Sequence, residues 1–238
     1  MTKGSEGIWV VGYGSLIYKP PPHWKYKVNG IVYGFKRRFW QSSIDHRGTP
    51  DSPGRVATLI PFDGITNNAE FEKDLRTWNS KVVAKQDDLK LLAVAYYIPP
   101  EHAQFVTEHL DVREKNGYTA HRIFIHLQPP KSEPLELQAL LHKLPVHETT
   151  GKHILDSLVY IGTSDNEAFI GPEDINVTAK VISHNLGPSG PNYEYLKLLH
   201  DSLTEMADEL GQSLEEIEDS YLDSLLKQTE QLRSIVQS

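Results

Sequence analysis

The sequence predicts an α+β fold. Short runs rich in β-branched and aromatic residues, broken by glycine and proline, recur at 8–11, 28–35, 38–42, 55–61, 91–98, 118–127 and 155–161. Amphipathic helical patterns then take over, at 173–185, 193–209 and 213–236. Strands first and helices last, with no strict βα alternation, point to one α+β domain over residues 1–238, with a core of about 8–210 and a C-terminal helix of about 213–236. Neither internal repeats nor low-complexity tracts interrupt this order.

The elements follow from local chemistry. The run 8–11 reads as a short buried strand entering the turn Gly12-Tyr13-Gly14-Ser15, and Pro20, Pro21 and Pro22 forbid regular structure after it. The stretch 45–54 is polar and carries Gly48, Pro50 and Pro53, so it is a loop. In the highly charged stretch 67–90, Phe71, Leu75, Trp78 and Val82 recur at helical spacing; either a helix or a surface insertion fits. Pro99 and Pro100 open a helix to about Val112, and Gly117 stops it. The stretch 135–153 gives no clear pattern. Near the C-terminus, Ser213-Leu214-Glu215-Glu216 forms a capping box that opens the last helix. Its stripe of Leu214, Ile217, Tyr221, Leu225, Leu232 and Ile235 suits core packing.

Composition excludes several classes. With no cysteine, disulfides, iron–sulfur clusters, cysteine–zinc sites and a cysteine nucleophile are ruled out, and a reducing compartment fits. A net charge of −8 argues against general binding to nucleic acid or anionic membrane. The apolar run 8–17 is too short to span a bilayer, and the first residues resemble no signal peptide. A cytoplasmic protein is expected. Lys36, Arg37, Arg38, Arg47 and Arg55 form a local basic run containing only Asp45 and Asp51 as acids. It suits either a small anionic ligand or a solvated strand edge.

Two segments could carry chemistry. Tyr13-Gly14-Ser15-Leu16-Ile17-Tyr18 follows a strand, but Ile17 replaces the third glycine of a dinucleotide fingerprint, and Ser15 lies outside G-x-S-x-G. What remains is a tight turn presenting backbone N–H groups, suited to an anion or oxyanion. Arg113-Glu114-Lys115-Asn116-Gly117-Tyr118 places Glu114 at a helix end, where carbonyl dipoles raise a carboxylate pKa. That carboxylate is either a general base or an ordinary exposed glutamate. The eleven histidines show no metal-binding spacing, so no metal is expected.

Taken together, these segments resemble the ChaC family of glutathione-specific γ-glutamylcyclotransferases. The resemblance rests on Tyr13 to Tyr18; on Arg37-Arg38-Phe39-Trp40-Gln41 with Asp45-His46-Arg47-Gly48 and Pro53-Gly54-Arg55-Val56; and on Arg113-Glu114 with Gly117-Tyr118. It extends through Tyr160-Ile161-Gly162-Thr163, Asn166 and Gly171-Pro172, then Gly187-Pro188-Ser189-Gly190, Asn192 and Glu194-Tyr195-Leu196. Departures exist. Tyr18 stands where many members have Trp, Ser42 and Ile44 differ from the usual block, and 67–90 and 131–156 resemble insertions. The charge of 67–90 and its place outside every block make it dispensable for catalysis, unless Phe71, Leu75 and Trp78 cover the core.

The resemblance implies a small β-barrel flanked by helices and an enzyme without cofactor. The substrate's α-amine attacks its own γ-carbonyl, releasing 5-oxoproline and cysteinylglycine from glutathione. Glu114 is implied as the base, with Tyr13, Gly14, Ser15, Leu16, Ile17, Tyr18 and Tyr195 binding substrate. Two alternatives stay open: a cyclotransferase for other γ-glutamyl compounds, and a non-catalytic binding module on the same fold. Protein partners are not indicated.

Overall fold

The computed structural model describes residues 7–79, 81–114, 116–129, 133–148, 150–215, 217 and 219–237. The start of the chain, read above for a signal peptide, lies mostly outside them, as does Glu216 of the capping box. Along the chain run β1 (Ile8–Gly12), β2 (Tyr26–Tyr33), β3 (Phe35–Ser43), β4 (Gly54–Pro61), α1 (Phe62–Thr66), α2 (Ala69–Trp78), β5 (Lys90–Ile98), α3 (Pro100–Arg113), β6 (Tyr118–Gln128) and α4 (Leu135–Leu141). They are followed by β7 (Ile154–Gly162), α5 (Ile175–His184), β8 (Leu186–Gly187), β9 (Gly190–Pro191), α6 (Asn192–Glu209) and α7 (Ser220–Gln237).

Five strands close a barrel in the order β1-β5-β2-β6-β7. Every neighbouring pair is antiparallel except β7 and β1, which meet in parallel at Val10 and Leu158. Closure leaves no free sheet edge, which removes a template for aggregation. Strand β5 runs down the middle with nearly every side chain buried. Such a strand reads as a continuous apolar run, which is why Leu91 to Ile98 was legible. The hairpin β3–β4 packs beside the barrel, with a bulge between Arg38 and Gln41. Thr58 Oγ1 donates to the Gly162 carbonyl at 2.7 Å, tying the hairpin to β7. Helices α5, α6 and α7 form the C-terminal layer, so the expected barrel flanked by helices is the architecture found.

Three expectations change. The last helix begins at Ser220 rather than at 213; the chain before it makes tight turns, with Asp219 N donating to Leu214 O at 2.9 Å. Those turns place the buried Asp219 carboxylate against Arg37, which a helix from 213 would not require. In the charged stretch, α2 stops at Trp78, and Val82 is 91% exposed. The helix itself is no loose surface piece. Asn68 caps it by accepting from Glu70 N at 2.9 Å, and Phe71 and Leu75 are buried in a cluster with Trp40.

The third change concerns the basic run. Lys36, Arg37, Arg38 and Arg47 are buried, so it is not a solvated strand edge. Arg37 pairs with Asp219, Arg38 with Asp74 at 2.6 Å, Arg47 with Glu194 at 2.9 Å and Arg55 with Glu173 at 2.9 Å. A buried cation needs such a partner, because desolvation costs on the order of several kcal/mol per ion. No helix among the described residues is long and apolar enough to cross a membrane.

Candidate active site

A cavity of about 460 Å³ opens where the turn after β1, the end of α3, the β3–β4 hairpin and the start of α6 converge. Tyr13, Gly14, Ser15, Leu16, Tyr18, Glu114 and Tyr195 all line it. Ile17 is not on the wall: its side chain is buried in the core, and its N–H closes the turn on Gly14 O at 3.0 Å. Sequence reasoning gave no separate role to Asp45, His46, Arg47, Asn116, Tyr118, Tyr160 or Ser189, which also line the cavity. Most of them belong to the blocks that carry the family resemblance, which was the available signal.

The turn is fixed from three sides. Ser15 to Ile17 make one turn of 3-10 helix, whose first N–H groups have no partner inside so short an element. Arg37 Nε donates to Tyr13 O at 2.8 Å from beneath. Arg113 donates from its Nη2 to Ser15 Oγ at 3.0 Å and from its Nη1 to Lys19 O at 3.2 Å. Gly14 permits the closest approach: a Cβ there would stand 3.0 Å from the Tyr195 hydroxyl.

Glu114 caps the C-terminal end of α3, its N–H donating to Leu110 O at 2.8 Å. Its side chain is only 17% exposed, and Arg113 Nε lies 3.4 Å from Oε1. Burial pushes the carboxyl pKa up and outweighs the attraction of Arg113 and His46, while Asp45 pushes in the same direction as burial. The sequence-based expectation of a raised pKa therefore agrees in direction, with burial as the larger cause.

Several side chains hold this helix end. His46 Nε2 meets the Arg113 carbonyl at 3.1 Å; a carbonyl only accepts, so Nε2 carries the proton. Its Nδ1 lies 3.0 Å from Ser189 Oγ, joining the loop after β3 to the β8–β9 turn. Asn116 takes the left-handed φ of +62°. It is held there by Gln41 Nε2, which donates to its carbonyl at 2.8 Å, and by its own Nδ2, which donates to Ser42 O at 2.9 Å. Gly117 follows at φ +89°, where a Cβ would strike Asn166 Oδ1 at 2.2 Å.

Tyrosines form the remaining wall. Tyr13 donates to Tyr160 O at 2.9 Å, Tyr118 to Ala57 O at 2.7 Å and Tyr160 to Asp111 Oδ1 at 2.6 Å. Tyr195 instead accepts from Ala57 N at 3.2 Å, and no acceptor among the described residues takes its own proton. Burial pushes its pKa up to about 12, so that proton stays on at neutral pH. Asn192, buried at the start of α6, sets this tyrosine by bonding both the N–H and the carbonyl of Arg55, at 2.7 and 2.8 Å. Among the described residues no group of three or more His, Asp or Glu side chains could hold a metal ion.

The cavity thus combines a mostly buried carboxylate, an available phenolic donor and a turn of backbone N–H groups. Comparison with known proteins fits this arrangement. Residues 8–232 match the ChaC-like protein family. A glutathione-specific γ-glutamylcyclotransferase of Saccharomyces cerevisiae is 50% identical over 234 residues, covering 98% of this chain and all of that one. Its Schizosaccharomyces pombe counterpart is 38% identical over 212 residues, covering 87% of this chain and 89% of the relative. The crystal structure of a selenomethionine-labelled yeast γ-glutamylcyclotransferase specific to glutathione superposes with a TM-score of 0.89 at 49% identity, over 96% of this chain and 97% of that one.

Proposed function

The chain belongs to the ChaC-like family, and from that premise we propose that it degrades glutathione by intramolecular aminolysis, giving 5-oxoproline and cysteinylglycine. The observation that carries the reading is Glu114, a mostly buried carboxylate with a raised pKa on a cavity wall that also carries the Tyr195 hydroxyl. The nucleophile belongs to the substrate, so no serine or cysteine of the protein has to attack.

In the proposed reaction Glu114 takes a proton from the α-ammonium of the γ-glutamyl residue. The freed amine attacks that residue's γ-carbonyl carbon, forming the C–N bond of a five-membered lactam. The amide bond to cysteine then breaks: the proton held by Glu114 passes to the departing nitrogen, and the second proton shed by the lactam nitrogen follows it, so cysteinylglycine leaves with its ammonium group and the lactam is neutral. Holding the glutamyl chain curled in near-attack geometry removes several kcal/mol of the barrier, on the order found for oriented intramolecular reactions. The N–H groups of Gly14, Ser15 and Leu16 and the Tyr195 hydroxyl are assigned to the glutamyl group and the oxyanion that forms on its γ-carbonyl. Tyr13, Ile17 and Tyr18 shape the same pocket, Ile17 from below through packing. Arg113 sits beside the place where the α-carboxylate must lie.

We also infer a single domain, since one buried cluster joins Val10 of the barrel to Tyr195 of α6 and Leu225 of α7. A cytoplasmic setting belongs to the proposal: glutathione keeps thiols reduced there, and this chain has no cysteine to protect. The deciding experiment measures 5-oxoproline and cysteinylglycine released from glutathione by the purified protein. A parallel panel of γ-glutamyl amino acids and γ-glutamylamines measures selectivity. No release from glutathione, with release from another γ-glutamyl compound, would replace the proposed substrate.

A further inference from the structure

Arg47 differs from the other arginines near the cavity. Its backbone is fixed by its N–H donating to Ser43 Oγ at 3.0 Å. Its side chain lines the cavity and is 9% exposed. Both Nη1 hydrogens are engaged, one on Pro191 O and one on Glu194 Oε2, each at 2.9 Å. No acceptor among the described residues meets its Nε or Nη2. Those two nitrogens present parallel N–H groups along one edge of the guanidinium, the edge that grips the two oxygens of a carboxylate. Arg55 of this chain uses that same edge on Glu173, Nε to Oε2 at 3.0 Å and Nη2 to Oε1 at 2.9 Å. Arg37 and Arg38 are committed to Asp219, Asp74 and backbone carbonyls, and Arg113 to Ser15, Lys19 and Glu114.

The corner around Arg47 carries a second unsatisfied group. The buried Tyr18 hydroxyl lies next to the Arg47 guanidinium, yet no well-formed hydrogen bond among the described residues satisfies it. Arg47 also lies 5.8 Å from the centre of the Tyr195 ring. Arg47 therefore stands at the tyrosine wall of the cavity, held from Pro191 and Glu194 rather than from α3.

Glutathione has two carboxylates. The α-carboxylate shares a carbon with the reacting ammonium and must lie beside Glu114 and Arg113. The glycyl carboxylate lies two residues beyond the γ-carbonyl, roughly 7 Å from that reacting carbon at an extended rise of 3.3–3.6 Å per residue. We infer that Arg47 anchors the glycyl carboxylate of the substrate through its Nε and Nη2 edge, and so sets the preference for a γ-glutamyl tripeptide with a free C-terminus. Glu194, half exposed on the other side, tempers the charge of Arg47 and keeps it oriented.

This assignment rests on the proposed glutathione activity, and the experiment separates the two. Compare glutathione with its C-terminal amide on wild-type protein and on Arg47→Gln, measuring kcat and KM for 5-oxoproline release. With wild type, amidation should lower kcat/KM by about 10- to 100-fold, mainly through KM, the range expected for losing a charge-assisted fork. In Arg47→Gln that penalty should shrink to less than about threefold, even if both absolute rates fall. Glu194→Gln gives a second readout: releasing Arg47 from its anionic neighbour should lower KM for glutathione more than KM for the amide. An equal amidation penalty in Arg47→Gln and wild type overturns the assignment, as does a wild type indifferent to amidation. If Arg47→Gln fails to fold, a Glu194→Gln protein with unchanged KM for both peptides overturns it. Absence of 5-oxoproline from both peptides with wild type overturns the activity itself, and this assignment with it.

Discussion

Replacing Glu114 by Gln tests the mechanism where it is most exposed to error. The substitution keeps size and hydrogen-bonding capacity but removes the ability to accept an ammonium proton at neutral pH. General-base catalysis contributes ~10²–10⁴-fold, which at about 1.36 kcal/mol per decade is roughly 3–5 kcal/mol of transition-state stabilisation. Turnover of glutathione to 5-oxoproline should fall by that factor. Binding of glutathione should change little, because the lost attraction for the ammonium is offset by a less demanding desolvation of the neutral side chain.

Stability supplies a sign as well as a size. Arg113 Nε stands 3.4 Å from Glu114 Oε1, a charge pair that by itself would favour the carboxylate. The pKa is nevertheless raised, so burial outweighs Arg113 and His46 together. A carboxyl whose folded pKa exceeds its unfolded value binds protons more tightly in the native state. Its contribution to stability is full below the unfolded pKa, near 4.3, and is lost as pH rises through the raised folded value. The melting temperature of Glu114→Gln relative to wild type should therefore climb between about pH 4 and neutrality. The wild-type kcat/KM should also rise with pH over the same limb, and the residual activity of the variant should lack that limb. A folded Glu114→Gln enzyme with wild-type turnover would refute the assignment; a variant losing stability at neutral pH would refute the electrostatic argument.

Other perturbations probe the surroundings. Arg113→Lys removes the contacts to Ser15 Oγ and Lys19 O while keeping a charge, so KM should rise several-fold with kcat within about threefold of wild type, as for loss of binding shared by ground and transition states; steady-state kinetics check this. Asp74→Ala leaves Arg38, whose side chain is 3% exposed, without its carboxylate and should destabilise by about 3–5 kcal/mol; urea melts of both proteins give the number. Replacing 67–90 with a short Gly/Ser turn should give an unstable or aggregating protein, since Phe71, Leu75 and Asp74 all face the core; a well-folded, cooperative deletion variant would show that reading wrong. N-acetylglutathione should yield no 5-oxoproline because its nucleophile is blocked, and chelator should leave the rate with glutathione unchanged.

The strands were legible because their chemistry is local. Buried β5 appears as an apolar run, and Gly34, at φ +82°, separates β2 from β3 within a stretch that periodicity alone read as ending at Phe35. The segment 135–153 gave no pattern because α4 is only seven residues long and is followed by turns. The last helix was misplaced at its start because a capping box is a local signal, and the competing requirement is tertiary. Asp219 must reach Arg37, some 182 residues away in sequence, and the non-helical turns before Ser220 bring it there. The basic run was misread for a related reason: charge spacing says nothing about burial, and the acids that neutralise it come from α2, from just before α5, from α6 and from just before α7.

The site shows the same division between local and distant information. Alone, Glu114 is a glutamate beside a lysine at a helix end, and most such residues are exposed. What buries and aims it comes from elsewhere. His46 reaches the carbonyl just before it, Gln41 and Ser42 clamp Asn116 in a left-handed conformation, Asn166 leaves room after Asn116 only for glycine, and Arg113 binds the turn that carries Ser15. Three segments, around Ser15, from Gln41 to His46 and at Asn166, thus converge on the one short stretch from Arg113 to Gly117. Each was visible in the sequence as a block of the family resemblance; none announces its neighbour. The bulge between Arg38 and Gln41 directly precedes the two residues that hold Asn116. A change that straightened the bulge would move Glu114 without touching it, and should lower kcat while leaving the pH profile of the surviving activity in place.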